Sequence, residues 1–138
     1  MPEQLYPLYP WMHVIGRILF SLIFILSGVN HLMQLENMTA YAKSKGLPAP
    51  KAAVALSGLV MLAGGALVLL GWSRFIGAGL LVIFLLPTAF LMHAFWKETD
   101  PMVKQNEMAH FLKVLALAGA ALLVAYYAGN SWPMSLGG

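Results

Sequence analysis

Three histidines and a lysine carry most of the chemistry this sequence can offer. His31, His93 and His110 exchange protons near neutral pH, and Lys113 is a fixed cation with three donors. Together such groups bind or protonate the oxygens of a polar headgroup. Their spacing groups them. Asn106, His110 and Lys113 stand at i, i+4 and i+7, one stripe of a helix. Ser27, Asn30, His31 and Gln34 share a face of an earlier segment. Arg17, Ser21, Gly28 and His31 form a second polar or small stripe along it. Trp96 follows His93 by one helical turn.

Several chemistries are excluded. The chain has no cysteine, which removes disulfides, thiolate metal sites and thiol–disulfide exchange. It has no Gly-rich phosphate loop and no Ser-His-Asp set. The acids Glu3, Glu36, Glu98, Asp100 and Glu107 lie in loops or at segment ends, which argues against a carboxylate-driven proton pump. Glu107 and His110 form Glu-x-x-His, a spacing used by di-iron bundles, but the matching carboxylates on other segments are missing, so no metal centre is expected. Two uses of the cluster remain. One is an amphipathic ligand such as a quinone, whose carbonyls would accept bonds from histidine, asparagine and lysine beside apolar walls. The other is proton transfer. Against both stands the plain alternative that these residues snorkel to headgroups or cap helix ends.

The elements that must position these groups are membrane spans. Hydrophobic residues make up 60% of the chain and charged residues 9%, against about 45–50% and about 25% in soluble proteins. With a mean hydropathy of +0.77, most of the surface must face lipid. A span needs about 20 apolar residues to cross a core of about 30 Å. Four segments qualify, at about 13–33, 52–71, 75–96 and 108–127. Lipid offers no partner to an open strand, so the expected fold is an all-α membrane protein, a four-transmembrane-helix antiparallel bundle formed by residues 1–138 as one unit. The first segment is too long, and lacks the cleavage site, for a signal peptide. A short interfacial helix is expected over 37–45, stopped by Gly46 and the Pro48/Pro50 pair. Pro87 should kink the third span. Gly58, Gly64 and Gly65, and Ala121, Ala125 and Gly129, let helices approach closely.

The net charge of +3 comes without a basic cluster interleaved with aromatics, so membrane lipids are the expected partner and nucleic acid is not. Arg17 and Arg74 fall on one side of the membrane. Lys43, Lys45, Lys51, Lys97, Lys104 and Lys113 fall on the other. The positive-inside rule then places the connections 34–51 and 97–107 in the cytoplasm and both termini outside. His31, His93 and His110 gather at the lysine-rich end.

In order along the chain, Arg17 with Phe24 and Ser27-Gly28, then Lys45-Gly46-Leu47-Pro48, Gly64-Gly65 and Gly71, Thr88-Ala89, His93 to Trp96, and Phe111-Leu112-Lys113 with Leu115-Ala116-Leu117-Ala118-Gly119 resemble the DoxX family of small four-helix membrane proteins. Two positions depart from its pattern: His31 stands where many members carry lysine, and Met61 where many carry glutamate before the paired glycines. The resemblance implies a bacterial inner-membrane protein. Related proteins are subunits of a thiosulfate:quinone oxidoreductase or membrane anchors of oxidoreductase complexes. The expected function is therefore a redox-linked subunit with a quinone-like cofactor or ligand, lined by Arg17, Ser27, Asn30, His31, His93, Trp96, Asn106, His110 and Lys113. The alternatives are a non-enzymatic scaffold of an oxidoreductase complex and a small transporter. Other oxidoreductase subunits, or a second copy of the chain, are the protein partners this implies.

Overall fold

The computed structural model describes residues 2–137. Five α-helices account for most of them: α1 (Tyr9–Met33), α2 (Leu35–Ser44), α3 (Pro50–Leu70), α4 (Arg74–Met92) and α5 (Pro101–Tyr126). A short 3-10 helix, Glu3–Leu8, leads into α1. No strand occurs among the described residues. Four helices are long and apolar enough to cross a membrane, namely α1, α3, α4 and α5. The protein is an all-α membrane protein.

Local sequence explains where the helices start and stop. Proline in the first turn opens α1, α3 and α5, where its missing N–H is no loss. Asp100 caps α5, its carboxylate accepting from the backbone of Met102 at 2.9 Å and Val103 at 3.1 Å. Gly71 ends α3 at φ 67°, a left-handed conformation suited to glycine, and Trp72 N–H donates back to Leu67 at 3.0 Å. Gly46 does the same after α2 at φ 79°, with Leu47 N–H donating to Ala42 at 3.1 Å.

The helices pack in the order α1–α3–α4–α5, while α2 lies against α3. Small residues set the close approaches. A Cβ at Gly28 would come within 2.8 Å of the Gly58 carbonyl, and one at Gly64 within 3.0 Å of the Gly77 carbonyl. The buried residues of α1 are Arg17, Ser21, Phe24 and Gly28; three of the four residues of the expected stripe are among them, and the fourth, His31, is half-buried. The core joins Phe24, Met61, Val68, Leu81, Leu85 and Ala121 with Trp132 from the tail. Met61, where glutamate was the family expectation, is 2% exposed.

Three helix boundaries differ from the sequence reading by four residues or more, the first being α1, which begins at Tyr9 and not at 13. α4 runs through Pro87 but stops at Met92, so 93–96 do not continue it. His93 takes φ −120° and ψ 42°, and Phe95–Lys97 form a separate 3-10 turn. α5 begins at Pro101, seven residues before the expected 108. Its 26 residues span roughly 39 Å, which exceeds the hydrocarbon core by about 9 Å. Glu107 therefore lies within a helix long enough to project beyond the core, and not in a loop.

Candidate functional site

At the end of the bundle that carries the long connections, α2 folds over the ends of α1, α3 and α4. Beneath it lies a pocket of about 190 Å³. Met38, Tyr41 and Ala42 of α2 cover it, Val54 and Ser57 come from α3, Phe84, Thr88 and Met92 from α4, and His31 and His93 face it from two sides. The walls are apolar apart from these two imidazoles and three hydroxyls.

The hydrogen bonds define which ring nitrogens are protonated. Ser57 Oγ–H donates to the Val54 carbonyl at 2.9 Å. That hydroxyl has one proton, so His31 Nδ1, 3.0 Å away, must be the donor to Ser57 Oγ. His93 Nδ1 lies 2.8 Å from Glu107 Oε2. A carboxylate only accepts, so His93 also carries its proton on Nδ1. When each ring is neutral, Nε2 is the remaining acceptor. Thr88 Oγ–H is likewise spent, on the Phe84 carbonyl at 2.7 Å.

A second layer supports His93. Glu107 Oε1 pairs with Lys45 Nζ at 3.4 Å, and Lys45 also pairs with Glu98 at 3.4 Å. The ammonium sits over the Tyr41 ring, 5.7 Å from its centre. Burial alone would pull the Lys45 ammonium below its ordinary value, but Tyr41, Glu107 and Glu98 outweigh it and hold the group above that value. Burial pushes the Tyr41 phenol up, so it too keeps its proton. Lys45 therefore stays cationic and clamps Glu107, which orients His93. His110 stacks on His93 with ring centres 5.2 Å apart.

The structure brings together only part of the expected set. His31 and His93 share the pocket, and His110 backs His93 from outside it. Ser27 is half-buried away from the pocket. Asn30, Asn106 and Lys113 are exposed and make no side-chain hydrogen bond among the described residues. Trp96, beyond the end of α4, is exposed and packs in an aromatic cluster with Phe90, Phe95 and Phe111. Arg17 lies at the opposite end of the bundle, where it donates to the carbonyls of Pro133 at 3.2 Å and Met134 at 2.7 Å. Sequence reasoning missed Lys45, Tyr41, Ser57 and Glu107 as site residues. For Glu107 a signal existed: Asp100-Pro101 is a cap followed by a first-turn proline, which puts Glu107 well inside a helix.

Among the described residues no group of three or more histidine, cysteine, aspartate or glutamate side chains could hold a metal ion. What remains is a small apolar pocket with two oriented imidazoles, set at the boundary of a four-span membrane protein. The DoxX family model matches residues 12–94, from the start of α1 to just past His93. The chain belongs to the DoxX family. It is also similar to inner membrane protein YphA of Escherichia coli (strain K12), with 33% identity over 116 residues, 84% of this chain and 82% of the relative. No solved structure matches it. The match to the family model ends before α5, so Glu107 and His110 lie outside it.

Proposed function

We propose that this chain is a bacterial inner-membrane protein that binds the ring headgroup of a quinone-type lipid beneath α2. The observation that carries this is the pocket itself, with His31 and His93 facing a largely apolar space of about 190 Å³. Sites for drug-sized ligands run to about 300–1,000 Å³. This one admits a single substituted ring, with any chain left in the lipid. The protonation pattern sharpens the ligand. With both rings neutral, each Nε2 is an acceptor, which suits a ligand that donates, the reduced hydroquinone form. The Lys45–Glu107 pair would hold His93 in place while it accepts such a bond. The YphA relative is an inner membrane protein by name, which supports that membrane. The distribution of lysines and arginines supports a cytoplasmic pocket end with both termini outside. A redox-linked role follows from the ligand class.

The test is retention. Protein purified in mild detergent under reducing conditions should carry lipid-extractable quinol, and less quinone after oxidation. His93→Ala should lose most of it, and His31→Phe should lose a similar share. Equal retention by wild type and both variants would sink the reading and leave a scaffold.

A further inference from the structure

At the opposite end of the molecule, α1 and α5 stand apart and leave a groove of about 360 Å³ between them. Its walls include Gly16 and Phe20 of α1 and Leu123 of α5. At its outer end are His13, Arg17 and Trp132. There a second, shallower depression begins and shares His13 and Trp132 with it. The groove follows α1 from Met12 to Phe20, a rise of about 12 Å. One leaflet's hydrocarbon is about 15 Å deep. The groove thus matches one acyl chain in one leaflet and not a molecule that spans both.

Arg17 supplies the polar end. Its side chain is 8% exposed. Its two terminal nitrogens meet only backbone carbonyls, its Nε has no partner, and no carboxylate lies within ion-pair distance of it among the described residues. His13 Nδ1 beside it is also buried without a partner. A cation taken from water and given only neutral acceptors is left uncompensated. The guanidinium reaches the level of the α3–α4 turn, since a Cβ at Gly71 would lie 3.2 Å from its Nη1. It therefore sits where lipid headgroups sit, above an apolar groove open to lipid. The buried Trp132 ring lies beside Arg17, its centre 5.9 Å from the guanidinium carbon, and fixes it at the end of the groove.

We infer that this groove is a binding site for one anionic phospholipid, its acyl chain along Gly16, Phe20 and Leu123 and its phosphate drawn to Arg17. The inference stands without the quinone reading, because the two sites are at opposite ends of the bundle. The test uses the full chain, delipidated in mild detergent, with phosphatidylglycerol or phosphatidylcholine of the same chains added back. Phosphatidylglycerol should raise the melting temperature by about 5 °C more than phosphatidylcholine does. Arg17→Gln should abolish that difference, but it also loosens the tail. Gly16→Leu decides the matter independently. A Cβ at Gly16 meets nothing within 4 Å, so the variant folds, and its side chain fills the groove. It should keep the lipid-free melting temperature and lose the phosphatidylglycerol increment. Equal shifts from the two lipids, or an increment that survives Gly16→Leu, would overturn the site. Oleate reproducing the whole increment would overturn the phospholipid assignment.

Discussion

At the tail end of the bundle, Arg17 and Arg74 donate to the backbone carbonyls of Pro133, Met134, Asn130 and Gly137. At the loop end, Lys45 and His93 converge on one carboxylate, Glu107. Carbonyls do not titrate, so these arginine bonds do not themselves change with pH. Both guanidinium groups also lie over Trp132, at 5.9 and 4.9 Å, which ties the tail into the core. The loop end is built of groups that can gain or lose protons, under a short helix and beside a pocket. One end has the bonding of a fastener, and the other has the bonding of a working site.

The largest effect should come from breaking the fastener. Arg17→Met removes two charge-assisted bonds and leaves two carbonyls without donors. At about 1.5–3 kcal/mol for each bond to a charged group, and with some relaxation of the tail, the loss should be about 3 kcal/mol. Unfolding in detergent followed by tryptophan fluorescence measures it, since Trp132 moves from the core to solvent. A loss under about 1 kcal/mol would mean the tail is held by packing and the two ends are not so different.

The loop end should give less stability and more function. Glu107→Ala strips both Lys45 and His93 of their partner. Because these side chains keep some solvent contact, at 20% and 18% exposure, the loss should be about 1–2 kcal/mol. Quinol retention should fall along with it. Glu107→Gln can still accept from His93, so it should keep part of both. The Lys45 contribution has a defined pH window. Its pKa is raised on folding, so its stabilisation is complete below the ordinary lysine value of 10.5 and is lost only as pH rises through the higher folded value. Unfolding measured through the neutral range should show no loss that Lys45→Met removes.

Ser57→Ala is a finer probe of the same end. It removes the acceptor that holds the His31 ring and should cost about 1 kcal/mol. It should also weaken quinol retention less than His93→Ala does, because His31 keeps its ring in the pocket. An effect equal to His93→Ala would make the two histidines a single coupled unit.

The two ends also differ in how far they could be read from the sequence. The spans, the order of helices and the inward stripe of α1 follow from apolar length and spacing, because small and polar residues on α1 stand out against leucine and isoleucine. On α5 the same logic points to the wrong face. Asn106, His110 and Lys113 share a stripe that the structure leaves exposed, while Glu107, Phe111, Val114 and Ala118 turn inward. A lipid-facing side chain is as apolar as a core one, so hydropathy does not mark which face of a membrane helix is buried. Only partners from other helices do, and Lys45 and His93 lie far from Glu107 in the chain. Trp96 fails for another reason. Its position assumed a helix through 93–96, and the break after Met92 swings it away from the pocket. The arginine–tail contacts join residues 56 to 117 positions apart and leave no local signal.

The smallest predicted effect is the sharpest test of the comparison. Ser21 lies one turn from Arg17, is 0% exposed, and its hydroxyl has no partner. Hydroxyls elsewhere in these helices return to the backbone, as Thr39 does to Leu35 at 2.6 Å and Thr88 to Phe84 at 2.7 Å. Ser21 does not. Removing it deletes no bond and relieves a buried polar group, so Ser21→Ala should change stability by under about 0.5 kcal/mol, in the stabilising direction. Thermal unfolding of the lipid-free protein is the measurement. If Ser21→Ala instead costs more than about 1 kcal/mol, the hydroxyl has a partner in the membrane. The nearest charged candidate is Arg17, so a polar side-chain network would then reach the tail end as well. The division between a fixed end and a titratable end would have to be redrawn around α1.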